Sequence, residues 1–226
     1  ESSQRAVELS GRLPAREQAL VKGHHALARG LRGLAGGEDG PARLREAEGT
    51  YRALIATDSG VAEAWYGLGD ALFHVPLNRD SAQASVDRMS ASLQAFRRTL
   101  ALDSTFHLAY SHLITMYQGL SVSNSGVVLD GERILLVADS AGVRAAGGVA
   151  GLTAKQSAAR AIGFELARAW SRADQDATAP VLTLAQGFFG AGMPDSAVAT
   201  IDRALERPSL RTPGLTLWSG IYRFYA

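Results

Sequence analysis

The chain has 226 residues, of which 46% are hydrophobic, and this proportion excludes a wholly disordered protein and permits a sizeable core. The formal net charge is +1, so no bulk electrostatic field would attract nucleic acid, and we expect no nucleic-acid partner. The chain contains no cysteine, which excludes disulfides, thiolate metal sites and cysteine nucleophiles. The longest strongly apolar run, at 134–138, is far shorter than the ~20 residues of a membrane-spanning helix, so no transmembrane segment is predicted.

The first 41 residues predict one weak helix and one strong helix. Residues 1–13 carry a weak helical pattern and are expected to fray. Pro14 suits the first turn of a helix that runs to about Leu34. The run AGGEDGP at 35–41 is expected to end this helix, because glycine and proline together cannot continue it.

Two kinds of apolar stripe recur after this point, and both have helical spacing. The first kind has offsets of three, four and seven and occurs at Trp65, Leu68, Gly69 and Leu72, at Tyr110, Leu113, Ile114 and Tyr117, and at Val181, Leu184, Ala185 and Phe188. The second kind has offsets of four, seven and eight and occurs at Ala47, Tyr51, Leu54 and Ile55, at Ser92, Phe96, Thr99 and Leu100, and at Ala197, Ile201, Ala204 and Leu205. Such offsets place side chains on one face of a helix, and the glycine in the first stripe permits close approach of a neighbouring helix. Alternation of the two kinds predicts helix–turn–helix units that bury little alone and must stack.

The connection after the helix at 62–73 is longer than a tight turn needs. Pro76 and Asn78 predict that it opens as a loop. A helix is expected to restart near Ser81, with Asp80 or Ser81 as its N-cap.

Residues 121–151 form the least regular part of the chain. Loop signals at 121–126 and 146–151 bracket this segment. The aliphatic run at 134–137 fits either a short strand or a helix, and we favour a helix from about Asp130 because the neighbouring elements are helical.

The last third of the chain predicts one long helix and a further pair. Thr153 is expected to cap a helix that continues to about Ala173. Its inward-facing residues are expected to be Ile162, Leu166, Ala169 and Trp170. Residues 179–206 predict a well-formed helix pair, which Pro208 and Pro213 separate from a last half-pair.

Two stretches, AEAWYGLGDALF at 62–73 and SLQAFRRTLALDSTFHLAY at 92–110, resemble the tetratricopeptide repeat (TPR). The residues that match its Trp-x2-Leu-Gly motif and the later aromatic and aliphatic positions are Trp65, Leu68, Gly69, Phe96 and Leu100. Ser59 and Ser104 stand where the repeat usually has proline. The resemblance implies an all-α fold, a right-handed superhelical stack of antiparallel helix pairs that is irregular in the middle.

The resemblance implies a single domain over 1–226. Its expected parts are one or more N-terminal helices at 1–41, the best-matching repeats at 42–120, an irregular segment with a long helix at 121–178, and a C-terminal repeat with a half-repeat at 179–226. Glu1 in first position and the apolar, aromatic end of the sequence lead us to expect a fragment of a longer protein.

The phrase AWYGLGDALFHVPL at 64–77 also resembles the repeat region that follows the kinase and membrane segments of some bacterial serine/threonine kinases, and the repeat-type halves of some bacterial regulators. This narrower resemblance implies a sensor or docking part of a bacterial signalling protein. It favours a location outside the inner membrane, in the periplasm, with the cytoplasm as the alternative.

Most of the five histidines are poorly spaced for joint metal binding. His24 and His25 are adjacent and point about 100° apart on a helix, so they cannot share a metal. His107 and His112 are five residues apart, whereas a shared ligand pair on one helix needs a spacing of four. Surface or groove histidines that hydrogen-bond to neighbours are the favoured interpretation.

The remaining chemistry is equally sparse. His74 with the carboxylate of Asp70 is the one combination that keeps a metal site open, but no metal site is predicted. The glycine-rich run at 146–151 precedes a helix without the lysine of a phosphate-binding loop, which favours a plain inter-helix loop. No Gly-x-Ser-x-Gly motif occurs. We therefore predict no catalytic residues, no cofactor and no enzyme activity.

In stacked helix pairs, the first helix of each pair lines a concave groove, and side chains off its packing stripe point into that groove. The candidate groove residues are Tyr66, Asp70, Phe73, His74, Ser111, His112, Thr115, Gln118, Thr183, Gln186 and Phe189. Aromatic area with a few polar neighbours is typical of a peptide-binding groove, which predicts a scaffold or adaptor module with a protein or peptide partner. The competing interpretation is that Tyr66 and Phe73 pack against an inserted loop or a neighbouring repeat. Two other functions stay open: a ligand-sensing or docking region of a signalling protein, and a structural subunit that self-associates through open helical ends.

Overall fold

A computed structural model describes residues 2–36, 39–75 and 82–226 of the chain. Within those ranges, eleven α-helices and one two-stranded β-hairpin follow one another. The helices are α1 (Ser2–Leu9), α2 (Ala15–Leu34), α3 (Gly40–Thr57), α4 (Ala62–His74), α5 (Ala82–Leu102), α6 (His107–Leu120), α7 (Ser140–Ala145), α8 (Gly148–Ala173), α9 (Thr178–Gly190), α10 (Pro194–Leu205) and α11 (Pro213–Tyr225). The strands are β1 (Val127–Asp130) and β2 (Arg133–Leu136), and short 3-10 turns lie at Ser10–Arg12 and Pro208–Leu210. Helix makes up 78% of the residues that the structure describes, which confirms the predicted helical fold class.

The long helices pack as successive pairs. The pairs are α2 with α3, α4 with α5, α6 with α8, and α9 with α10. Each pair also contacts the next, since α3 packs on α4, α5 on α6, α8 on α9, and α10 on α11. The predicted stack of helix pairs is thus present, and no described helix is long and apolar enough to cross a membrane.

Side-chain caps fix three of the described helix starts, one of them by Asp139 at the beginning of α7. Asp39 accepts a hydrogen bond at Oδ1 from the Ala42 amide, 3.1 Å away, at the beginning of α3. Thr212 accepts one at Oγ1 from the Leu215 amide, 3.3 Å away, at the beginning of α11. Pro14 immediately precedes α2, which ends at Leu34 as predicted. Asp39 and Thr212 thus satisfy amides that a helix terminus leaves without intrahelical partners.

Two buried aromatic rings pack closely against glycines of neighbouring helices. The ring of Tyr51 on α3 is completely buried, and a Cβ atom added at Gly67 on α4 would lie 2.2 Å from its Cζ. A Cβ at Gly23 on α2 would lie 2.7 Å from the same ring. Phe96 on α5 is equally buried, and a Cβ at Gly69 would lie 2.9 Å from it. Glycine therefore permits the close helix approach that the first stripe predicted at Gly69.

The predicted stripes are mostly, but not completely, buried. Tyr110, Leu113, Ile114 and Tyr117 are all buried on α6. Trp65 is only partly buried, and its indole Nε1 donates a hydrogen bond to the carbonyl of Ser59, 2.9 Å away.

The favoured helix from about Asp130 is wrong, because this segment folds as the β1–β2 hairpin. Asp130 pairs with Arg133 across a two-residue turn, and Gly131 has a φ of 60°. The turn residues are Gly131 and Glu132, and a glycine with positive φ at the first turn position is typical of a type II′ turn, which suits the right-handed twist of a hairpin. Val128 and Ile134 are buried, so each strand of the hairpin contributes an aliphatic residue to the core.

The predicted start and inner face of the long helix are also wrong in detail. Helix α8 begins at Gly148, and Thr153 lies inside it, where its Oγ1 donates a hydrogen bond to the carbonyl of Val149. Ile162 is exposed, whereas Trp170 is buried as predicted. Leu166 and Ala169 are half-buried. The buried stripe consists of smaller residues on a rotated face: Ala159, Gly163, Ala167 and Trp170.

The predicted loop at Pro76 and Asn78 and the predicted cap at Asp80 or Ser81 lie outside the described residues.

Candidate functional site

Three side chains that can bind protons or metals converge between α4 and α6. Asp70 and His74 lie one turn apart on α4, and His112 lies on α6. Oδ1 of Asp70 lies 2.8 Å from Nδ1 of His74 and 3.2 Å from Nε2 of His112. One potential ligand atom of each residue lies within 4.8 Å of the other two. We call these three residues the Asp70 cluster; each of them is among the candidate groove residues.

Asp70 is a buried carboxylate whose charge is compensated by its neighbours. Its side chain is only 9% exposed, and Oδ2 accepts a long hydrogen bond of 3.5 Å from the hydroxyl of Tyr66. Burial raises the pKa of Asp70, but the close rings of His112 and His74 stabilise the charged form more strongly and bring the pKa to about 2. Among the described residues, no well-angled hydrogen bond reaches Oδ1, although both histidine nitrogens lie near it.

The imidazole of His112 is held in one orientation. Its Nδ1 lies 3.0 Å from the carbonyl oxygen of Leu108, which can only accept a hydrogen bond. Nδ1 therefore carries a proton, and Nε2 points at Asp70. The Phe96 ring stacks on His112 with centroids 4.7 Å apart, and Phe73 meets its edge at 5.2 Å. Two aromatic rings and one backbone acceptor thus fix the ring in place.

His74 and Tyr66 complete the surroundings of the carboxylate. Nδ1 of His74 lies 3.0 Å from the carbonyl oxygen of Asp70 as well as near its side chain. The close contact of its ring with the Asp70 carboxylate raises the pKa of His74. Burial, with the nearby charge of Asp70, raises the pKa of Tyr66 well above its usual range. Tyr66 is itself buried and packs on Phe106, with ring centroids 4.9 Å apart. It therefore lies under the groove surface.

The other candidate groove residues lie in several places along the stack. Gln118 and Thr183 line one cavity, and Phe73 and Thr115 line another of about 290 Å³ between α4, α6 and the hairpin. Ser111 and Gln186 are exposed. Phe189 is half-buried and stacks on Tyr222 of α11, with ring centroids 4.9 Å apart, so α11 covers part of its surface.

The cavity that Gln118 and Thr183 share has a volume of about 350 Å³ and lies between α6, α8 and α9. The wall is mainly apolar. Its lining residues include Ile114, Gln118, Arg160, Phe164, Ala167 and Thr183. Sequence reasoning missed Arg160 and Phe164, because the face of α8 was assigned from Ile162 and is rotated. We call this space the α6–α9 cavity.

Comparisons with known proteins show the fold. No family model and no curated protein matches the chain. The chain is similar to a crystal structure of MamA protein, with a TM-score of 0.50 and 16% identity over 91% of this chain and 78% of the MamA chain. A second MamA crystal structure aligns with a TM-score of 0.49 and 18% identity, over 90% of this chain and 83% of that one. The MamA protein of the first structure is a TPR-like helical solenoid. The chain therefore has a TPR-like fold of stacked helix pairs.

Proposed function

We propose that the chain is a non-catalytic interaction module that binds a segment of a partner protein in the α6–α9 cavity and the groove beside it. The observation that carries this proposal is a cavity of about 350 Å³ that opens between successive helix pairs. Gln118 and Thr183, which repeat geometry had assigned to the groove, both line it. A mainly apolar recess with a few convergent polar groups is the usual form of a ligand site.

The chemistry of the wall favours a particular kind of peptide. Ile114, Phe164 and Ala167 offer apolar surface for one large apolar side chain. Gln118 offers an amide that can both donate and accept hydrogen bonds. Arg160 is exposed at the rim and forms no ion pair with any other residue in the described ranges. We therefore infer a partner segment in which an apolar residue lies close to a carboxylate.

The experiment is a selection of short random peptides on the purified chain, followed by fluorescence anisotropy with the enriched peptides. Ala161→Phe would fill the cavity from its rim, and we expect it to weaken binding at least about tenfold, which is ~1.4 kcal/mol. Arg160→Glu should weaken the binding of peptides that carry a carboxylate and leave neutral peptides nearly unchanged.

Ala158→Phe is the matched control, because Ala158 is exposed on the same helix and does not line the cavity. The proposal predicts full binding in this variant. Selected peptides that bind wild type, Ala161→Phe and Ala158→Phe equally would contradict the cavity as the binding site. A selection that enriches no peptide would contradict the proposed function itself.

A second candidate function, self-association, is favoured by the outer face of α11. Leu217 and Phe224 are 63% and 83% exposed on this helix, and Ile221 lines a shallow depression between them. Apolar side chains grouped in this way are typical of contacts between copies. Light scattering across a range of concentrations should show a mass increase in wild type and none in Leu217→Glu. A constant monomer mass in wild type would contradict this candidate.

A further inference from the structure

We propose that the Asp70 cluster is a binding site for a divalent transition metal of the zinc class, held by a carboxylate oxygen of Asp70, one ring nitrogen of His74 and Nε2 of His112. This inference concerns the cluster alone and does not depend on peptide binding in the α6–α9 cavity. The three potential ligand atoms already lie within 4.8 Å of one another.

The contact between His112 and Asp70 is the first argument. The Leu108 carbonyl accepts a hydrogen bond from Nδ1 of His112, so this ring presents Nε2 to Oδ1 of Asp70, 3.2 Å away. A hydrogen bond from the second ring nitrogen to a backbone carbonyl is the usual support of a metal-binding histidine.

The second argument concerns the buried carboxylate oxygen of Asp70. Oδ1 is buried, and no well-angled hydrogen bond from a described residue reaches it. A buried charged oxygen without such a bond is costly. Coordination to a metal would satisfy this oxygen.

Ligand type and spacing select the metal. Two imidazoles and one carboxylate suit zinc and its neighbours, whereas magnesium and calcium prefer oxygen ligands alone. Bonds of about 2.1 Å in a tetrahedral site place ligand atoms about 3.4 Å apart. The observed separation between Oδ1 of Asp70 and Nε2 of His112, 3.2 Å, is already close to this value. Three protein ligands leave a position for water or for another donor.

A metal ion can reach the cluster from solvent. The side chains of His74 and His112 are 33% and 19% exposed, while Asp70 lies beneath them. Phe73 and Phe96 pack against the His112 ring and restrict its rotation. Since α4 and α6 belong to successive helix pairs, a bound metal would cross-link two neighbouring repeats.

The test is isothermal titration calorimetry with zinc chloride on the 226-residue chain, prepared without a histidine tag and stripped with EDTA. We expect one zinc ion per chain. Asp70→Asn and His112→Gln should each weaken binding by at least about 100-fold, because each removes a ligand. His107→Gln is the matched control, since His107 lies on the same helix outside the cluster and should leave zinc affinity unchanged.

Thermal melts of each variant in EDTA, followed by circular dichroism, separate loss of a ligand from loss of the fold. Zinc should raise the unfolding temperature of wild type and His107→Gln but not of His112→Gln. If Asp70→Asn does not fold, the test depends on His112→Gln. The visible absorption of bound cobalt(II) is then compared between this variant and wild type. Absence of stoichiometric zinc binding to wild type would overturn the proposal. Undiminished binding by His112→Gln would do the same, and the cluster would then be an ion-pair network only.

Discussion

Alanine in place of Gly67 tests the packing of the first two helix pairs. The added Cβ would lie 2.2 Å from Cζ of Tyr51, whereas carbon atoms in contact lie about 3.5–4.0 Å apart. The ring cannot move away from α4, because α2 packs against its other side. A Cβ added at Gly23 on α2 would lie only 2.7 Å from the ring. Relief of the overlap therefore requires α4 to separate from α3 or the ring to leave its buried position.

Two opposing terms set the size of the effect. Alanine in a helix interior is more stable than glycine by roughly 0.5–1 kcal/mol. Overpacking of a well-filled core costs typically about 1–3 kcal/mol, and an overlap above 1 Å with a confined ring belongs at the upper end. We therefore expect Gly67→Ala to lower the free energy of unfolding by about 2 kcal/mol.

The assay is urea unfolding followed by circular dichroism, and Gly49→Ala is the matched control. Gly49 lies on the exposed side of α3, and an added Cβ there meets no atom within 4 Å. This variant should gain roughly 0.5–1 kcal/mol from helix propensity alone. The two alanine substitutions thus have opposite expected signs. A Gly67→Ala variant as stable as Gly49→Ala would refute the close packing of Tyr51 against α4.

Three further predictions concern other buried groups. Tyr51→Phe should raise the free energy of unfolding by about 1 kcal/mol, because the buried Tyr51 hydroxyl has no hydrogen-bond partner among the described residues; a loss on urea unfolding would contradict this. Phe96→Ala should cost about 3–5 kcal/mol by the same assay, because the ring is completely buried against Gly69 and His112, and a cost below about 1 kcal/mol would be inconsistent with this packing. In EDTA, the lowered pKa of Asp70 should contribute about 2 kcal/mol to the free energy of unfolding above pH ~4. This contribution should disappear as the pH falls from ~4 to ~2, because the carboxylate becomes protonated in the folded protein as well. Urea unfolding should show a smaller acid loss for Asp70→Asn than for wild type, and equal losses would count against a compensated carboxylate.

The repeated helix pairs could be predicted from the sequence because the spacing of apolar residues determines which face of each helix is buried. Offsets of three, four and seven put Tyr110, Leu113 and Tyr117 on one face, and all three are buried. The hairpin was not predicted, although Gly131, the first residue of its turn, lies between two aliphatic runs. Periodicity alone cannot separate a short strand from a helix segment, and the helical neighbours favoured the wrong alternative.

The candidate site was only partly predictable for a related reason. Repeat geometry assigned Asp70, His74 and His112 to the groove, but the histidines were compared with one another only along single helices. The spacing of five residues between His107 and His112 on α6 argued against a shared metal, whereas the neighbours of His112 in the fold are on α4. The register between successive repeats decides this contact, and spacing along the chain does not contain that register. The face of α8 was lost in the same way, since its rotation depends on how closely Gly163 approaches Tyr117.

Phe96 shows how packing of the repeats determines the geometry of the site. Its ring fits against Gly69 on α4, and the same ring stacks on His112 of α6 at 4.7 Å. Asp70 follows Gly69 directly in the sequence, so the position of one ring sets both the approach of α4 and the direction of the imidazole. A shift of α4 relative to α6 would therefore move Asp70 relative to His112, even if neither side chain changed its conformation. The three-atom arrangement of the Asp70 cluster follows from the aromatic–glycine contact that stacks the repeats, and any shift of that contact should alter metal affinity and stability together.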